Sequence, residues 1–231
     1  MFFCIDIGSS FTKVGLVSDS LNVEFLHRHD NSETFELPSF SKDNKIIIAS
    51  VNPEKFKEVK KVLNSSFQVE PLVIDSNINL NFQINMPNPE SLGADLIANS
   101  AAAVHHFPQH PTLVIDLGTA NTFTIVDIVN GAHVFEGGMI LPGLKSIENA
   151  FKSRFPILTD SLRMDDMEEY YPDSMVNNTT DGAVNAGLAT MFYSPIVENV
   201  AKFKERYPNL KILITGGDSK KCQHIAGIDM I

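Results

Sequence analysis

The chain has 231 residues, a formal net charge of −10, 43% apolar residues and 20% charged residues. That balance is globular rather than disordered, and the length suits one large domain or two small ones with an ample core. Lys and Arg are scattered with no basic stripe, which argues against a nucleic-acid partner, and no apolar stretch is long enough to span a membrane.

Residues 2–5 form a short apolar run that reads as a buried strand. Residues 13–18 and 23–28 read as two more strands, and the short links between the three predict an antiparallel meander. Residues 46–51 give a further strand. Asn52-Pro53 then caps a helix with Phe56, Val59 and Leu63 on one face. Residues 69–74 return as a strand, 75–89 are polar loop, and 91–106 are an Ala-rich helix in which His105 and His106 read as surface residues.

The plan then restarts. Residues 112–117, 122–129 and 133–135 read as strands, the last two joined by an Asn130-Gly131 hairpin turn. A helix follows over 145–155. The acidic run 163–173, with Asp165 and Asp166, reads as solvated surface. Residues 181–206 form a long helix with a kink expected at Pro195, and the strand 211–214 ends at Gly216-Gly217-Asp218. The chain is therefore an α/β protein of two similar units, 1–109 and 110–231, with a ligand cleft expected between them. Cys4 and Cys222 make neither a disulfide framework nor a zinc spacing. The segment MFFCIDIG lacks a basic leader, so the expected location is the cytosol.

Each unit carries the same turn after its first strand: Asp6-Ile7-Gly8-Ser9-Ser10 and Asp116-Leu117-Gly118-Thr119. Glycine permits a tight turn, and the small hydroxyl residues leave backbone amides open to phosphate oxygens. The Asp at the strand end places a carboxylate where it could hold hydrated Mg2+. A single copy would read as a hairpin turn in which Asp accepts local hydrogen bonds. The repetition favours a polyphosphate grip, which suits phosphoryl transfer. GxxxxGK[ST] and GxGxxG are both absent, against P-loop and Rossmann sites.

Six segments then resemble a known family in order and spacing. They are DIGSSFTKVGL from Asp6, NPESLGAD ending at Asp95, DLGTANT from Asp116, GGMILPGL from Gly137, TTDGAVNAG from Thr179, and TGGD from Thr215. Together they resemble the type III pantothenate kinases of the actin-like superfamily of acetate and sugar kinases, heat-shock chaperones and actin. The resemblance implies two ribonuclease-H-like halves with a cleft between them. It implies transfer of the γ-phosphoryl of ATP to the primary hydroxyl of pantothenate, giving 4'-phosphopantothenate, the first step of coenzyme A synthesis. It also implies Mg2+, a monovalent cation (K+ or NH4+), and a cytoplasmic homodimer.

By the same resemblance, Asp95 is the catalytic base, and Gly93 stands with it at the substrate. Asp6, Gly8, Ser9, Ser10 and Lys13 form the first phosphate motif, with Asp6 also toward Mg2+. Gly118 and Thr119 form the second, with Asp116 near the monovalent cation. Thr180 reaches pantothenate from the partner subunit, and Gly137, Gly138 and Gly143 form a loop beside the nucleotide. Plainer roles stay open for some of these. Asp95 suits the first turn of a helix by charge alone, Lys13 a solvated strand, Thr180 a helix cap, and Gly216-Gly217 a simple turn.

Three positions depart from the family pattern. Leu96 stands where an Arg is implied to pair with the substrate carboxylate, Ser9 where Asn is usual, and Thr124 where an Asp is usual. Removing one partner of such a charge pair costs about 2–5 kcal/mol, roughly 30- to several-thousand-fold in recognition. Two alternatives to an active pantothenate kinase are therefore a catalytically impaired or regulatory homologue and a kinase for another small hydroxyl compound.

Overall fold

The computed structural model describes residues 1–38, 44–67, 70–162, 176–222, 225 and 229–230. The acidic run 163–173, including Asp165 and Asp166, lies outside the described residues. The chain divides into two compact units, Met1–Ala102 and Ala103–Ile231.

In the first unit, β1 (Phe2–Ile7), β2 (Phe11–Val17) and β3 (Val23–Asp30) form the expected antiparallel meander. β4 (Lys45–Ser50) runs parallel to β1, and the sheet order is β3-β2-β1-β4-β5. Alternation along β1 buries Phe3, Ile5 and Ile7 on one face. These pack with Ile46 and Ile48 of β4 and with Val59 and Leu63 of α1 (Pro53–Phe67). Asn52 caps α1, its Oδ1 accepting the Lys55 N–H at 3.1 Å.

The segment after β3 is clipped onto α1. Glu58 Oε1 accepts the Phe35 N–H at 2.6 Å, and the buried Lys55 donates to the Glu33 carbonyl at 2.5 Å. The hydrogen bond from Phe35 is the main cause that holds the Glu58 carboxyl below its ordinary pKa.

Three expectations here are narrowed. Among the described residues the strand expected over 69–74 is β5 (Leu72–Val73), which meets β4 at the pairs Ile47–Leu72 and Ile48–Val73. The loop 75–89 contains a two-residue strand, β6 (Gln83–Ile84). The Ala-rich helix does not start at Ser91. A 3-10 turn over Pro89–Ser91 stops at Leu92, whose backbone is extended, and α2 (Ala94–His106) begins after Gly93.

In the second unit, β7 (Thr112–Leu117), β8 (Ala120–Val129) and β9 (Ala132–Pro142) are antiparallel neighbours. β10 (Lys211–Thr215) lies parallel to β7 on its other side, with β11 (Asp229–Met230) beyond it. Asn130 and Gly131 both have positive φ, +52° and +80°, the conformation a two-residue hairpin of this twist demands.

α3 (Leu144–Arg154) and the long α4 (Thr180–Arg206), with Pro195 inside it, follow. Leu113, Ile115, Leu117, Phe123 and Ile125 from the sheet pack with Ala189, Phe192, Tyr193 and Ile196 of α4. Tyr193 is fully buried and its hydroxyl donates to the Lys221 carbonyl at 3.1 Å. Among the described residues no helix is long and apolar enough to cross a membrane.

β9 corrects one reading. Gly137 and Gly138 are not in a loop; they lie inside β9, at a bulge where Ile125 pairs with Gly137 and Val126 with Phe135. Gly137 takes φ +95°, and a Cβ on Gly138 would stand 1.8 Å from the Phe123 carbonyl oxygen. The paired glycines break the apolar alternation without breaking the ladder, because the bulge absorbs the extra residue.

Candidate active site

In the first unit, Asp6 and Lys13 are direct cross-strand partners on β1 and β2. Lys13 Nζ stands 3.5 Å from Asp6 Oδ2, and both side chains are about half exposed. An exposed pair of this kind adds little stability. Its consequence is positional: a carboxylate and an ammonium stand side by side near the turn. Gly8 closes that turn, its N–H donating to the Phe11 carbonyl at 2.9 Å.

Asp95 occupies the first turn of α2 and is half-buried. Its Oδ1 accepts the Leu96 N–H at 2.8 Å and stands 2.5 Å from where a Cβ on Gly93 would lie. Gly93 therefore makes room for the Asp95 carboxylate. That links the two residues of the Leu-Gly-x-Asp segment by sterics, not only by spacing. Leu96 is itself half-buried, and its carbonyl accepts the Ser100 hydroxyl at 2.7 Å.

In the second unit, Asp116 lies near the end of β7 and Thr119 is exposed on the turn that follows. The start of α3 is bound to this turn. The Gly143 N–H and the Ser146 hydroxyl both donate to the Thr119 carbonyl, at 3.1 and 2.7 Å. A Cβ on Gly143 would stand 1.9 Å from the Gly118 carbonyl oxygen and 2.8 Å from that of Thr119. Gly143 is thus the residue before α3, not part of a free loop, and only a residue without a side chain fits there.

The end of β10 reaches the same place. Gly216 has φ +97°, and a Cβ there would lie 2.2 Å from the Leu117 oxygen and 2.6 Å from Asp116 Oδ1. The Asp218 N–H donates to the Leu117 carbonyl at 3.0 Å, and burial raises the Asp218 carboxyl above its ordinary pKa. Gly216, read from sequence as a possible simple turn, stands against Asp116.

Gly137 and Gly138 lie at the β9 bulge, with Gly138 paired to Thr124. Thr124 is buried at 3% exposure, so the site of the missing carboxylate is a dry one. At α4 the cap is Thr179, whose side chain accepts the Gly182 N–H at 3.1 Å. Thr180 is the first helical residue and is exposed, so capping does not occupy its hydroxyl.

Sequence reasoning missed Asn31. It touches the first turn at several points, yet an Asn after a strand is an ordinary turn residue, and its partners lie 22 and 23 positions away.

The donors present suit the expected cations. Among the described residues no group of three or more His, Cys, Asp or Glu could hold a metal ion. Mg2+ is commonly bound by one or two carboxylates plus substrate phosphates, not by an all-protein cage, and the half-exposed Asp6 fits that mode. Gly216 leaves the Asp116 carboxylate uncrowded, and a single carboxylate at a strand end is the type of oxygen donor that a hard cation takes.

A protein-family model described as "Type III pantothenate kinase" matches residues 2–202. The type III pantothenate kinase of Sulfurihydrogenibium sp. (strain YO3AOP1) is 29% identical over 235 residues, covering 95% of this chain and 89% of that protein. The type III pantothenate kinase of Legionella pneumophila (strain Corby) is 29% identical over 233 residues, covering 94% and 88%. A crystal structure from Campylobacter jejuni, assigned to the Baf family of transcriptional activators, is 18% identical with a TM-score of 0.56 and covers 100% of this chain and 91% of its own. The Lmo2764 protein of Listeria monocytogenes, assigned as an N-acetylmannosamine kinase, is 14% identical with a TM-score of 0.53, covering 100% and 92%. These structural likenesses show the fold alone, an α/β chain with two sheet-containing halves.

Proposed function

The chain belongs to the type III pantothenate kinases, and from that membership we propose that it transfers the γ-phosphoryl of ATP to the primary hydroxyl of pantothenate, giving 4'-phosphopantothenate and ADP. The observation that carries the reading is the doubled strand-end turn. Asp6 and Asp116 lie near the ends of β1 and β7, and Gly8 and Gly118 open the turns that carry Ser9 and Ser10 in one and Thr119 in the other.

In this reading the first turn, Gly8 to Ser10, and the second, Gly118-Thr119, offer backbone amides and hydroxyls to the phosphates. Lys13 neutralises charge beside the first. Asp95 accepts the proton of the attacking hydroxyl as its oxygen bonds to the γ-phosphorus, while the bond to the ADP oxygen breaks. A positioned base of this kind contributes about 10²–10⁴-fold. Mg2+ held beside Asp6, and K+ or NH4+ beside Asp116, would neutralise the charge on the transferring group. Gly93 keeps the Asp95 carboxylate in place. Gly143 keeps the second turn against α3, and the β9 bulge with Gly137 and Gly138 borders the nucleotide. Thr180, free of the capping role, reaches pantothenate across a homodimer in the cytoplasm.

Leu96 favours a second reading. An apolar, half-buried side chain directly after the proposed base suits a hydroxyl substrate without a carboxylate. The test is coupled ADP release with ATP, Mg2+ and K+, with and without pantothenate. Pantothenate-dependent turnover that disappears in Asp95→Asn, in protein that melts like wild type, is the expected result. Full activity in that variant would overturn the assignment of the base. Binding of ATP without turnover at millimolar pantothenate would favour another substrate or a non-catalytic homologue.

A further inference from the structure

We propose that Asn31 is a positioning residue for the phosphates of ATP: it locks the first turn with its amide N–H groups facing away from Asn31 and toward the nucleotide. The inference rests on the reading of that turn as a phosphate site.

Asn31 follows β3 directly, beyond Asp30, which pairs with Phe11 across the ladder. Its Nδ2 donates to the Gly8 carbonyl at 2.8 Å and to the Ser9 carbonyl at 3.3 Å. Its backbone N–H donates to the Ser10 carbonyl at 2.9 Å. One residue therefore engages the carbonyls of the whole turn. Its Oδ1 accepts the hydroxyl of Thr12 at 2.7 Å, and Thr12 is fully buried. The two carbonyls fix which end of the amide faces which way: they can only accept, so they take the NH2, and the Thr12 hydroxyl donates to the oxygen.

The consequence follows from peptide geometry. Every peptide here is trans among the described residues, so each carbonyl and the N–H that follows it point to opposite sides. Carbonyls of Gly8 and Ser9 turned toward Asn31 direct the N–H groups of Ser9 and Ser10 the other way. Successive N–H groups on one side of a turn make an anion-binding concavity. With the amide of Asn31 removed, those peptides lose what keeps their carbonyl oxygens off the phosphate side. Gly8 is the residue least able to resist rotation by itself.

The test compares Asn31→Ala with Asn31→Asp. Aspartate keeps the size and the acceptor for Thr12 but lacks the NH2, so it separates hydrogen bonding from space filling. Calorimetry would measure binding of Mg2+-β,γ-imido-ATP, and steady-state kinetics would give KM for ATP and for pantothenate. The expected result is about tenfold weaker analogue binding in Asn31→Ala, a larger loss in Asn31→Asp, and a matching rise in KM for ATP. KM for pantothenate should stay within about twofold. Wild-type analogue affinity in Asn31→Asp, or equal losses for both substrates, would overturn the proposal. Should Asn31→Ala fail to fold, Thr12→Val replaces with a methyl the hydroxyl that anchors the amide oxygen. It should raise KM for ATP alone, and an unchanged value counts against the idea. A wild-type protein that binds no analogue would instead remove the phosphate-site reading itself, and this inference with it.

Discussion

Replacing Gly143 by alanine tests whether the second turn and α3 work as one piece. The Gly143 backbone, φ −75° and ψ 171°, is open to any residue. Chain entropy alone would then favour alanine by about 0.4–1 kcal/mol. Sterics oppose it. The new Cβ would stand 1.9 Å from the Gly118 oxygen, roughly 1.5 Å short of ordinary contact. Forced overpacking costs about 1–3 kcal/mol, so the net loss is about 1–2 kcal/mol. For a chain of this size that lowers Tm by about 2–8 °C. The effect on chemistry should be larger. The atoms that must give way are the carbonyls of Gly118 and Thr119, and a displacement of about 1 Å in a positioned site costs about 10²-fold in rate. Differential scanning calorimetry and kcat/KM for ATP would be measured beside Gly187→Ala as a control. A Cβ at Gly187 meets nothing within 4 Å and the residue is inside α4, so that change should stabilise by about 0.5–1 kcal/mol. Wild-type melting and wild-type kcat/KM in Gly143→Ala would refute the reasoning.

Leu96→Arg restores the cation the family pattern expects beside Asp95 and should lower KM for pantothenate; an unchanged KM would show that carboxylate recognition has moved elsewhere. Glu148 gives a pH test. Burial alone would raise its carboxyl, but hydrogen bonds from Lys145 and Lys152 outweigh that and lower it from its ordinary 4.5. Its stabilising effect is therefore complete above about pH 4.5 and is lost as pH falls through the depressed value. Glu148→Gln should flatten the acid limb of the stability profile, and an unchanged acid limb would remove Glu148 from that role. Cys222 is fully buried, and burial, aided by the Asp218 carboxylate, pushes its thiol up to about 12. Alkylation at pH 8 followed by mass spectrometry should leave Cys222 unmodified in folded protein and label it in denaturant; rapid labelling of the folded chain would contradict this burial.

The sequence by itself determined the elements and the pair of turns. Short apolar runs set β1 and β7, Asn52-Pro53 set the start of α1, and Asn130-Gly131 set the β8–β9 hairpin, because each is a local preference written in a few adjacent residues. What tertiary structure alone decided lies in contacts between distant segments. Gly137 and Gly138 look like loop residues along the chain, and only the partner strand β8 shows that a bulge holds them in a ladder. Gly143 reads as a loop glycine and Gly216 as an ordinary turn glycine until the carbonyls of Gly118 and Leu117 are seen against them. By composition the cap of α4 stays open at Thr180, and the hydrogen bond from Gly182 places it at Thr179 instead. Asn31 carries no local signal, because its role depends on β3 returning beside the first turn. Local sterics and hydrogen-bond preferences are legible in one dimension; close approach between backbones far apart in sequence exists only after folding.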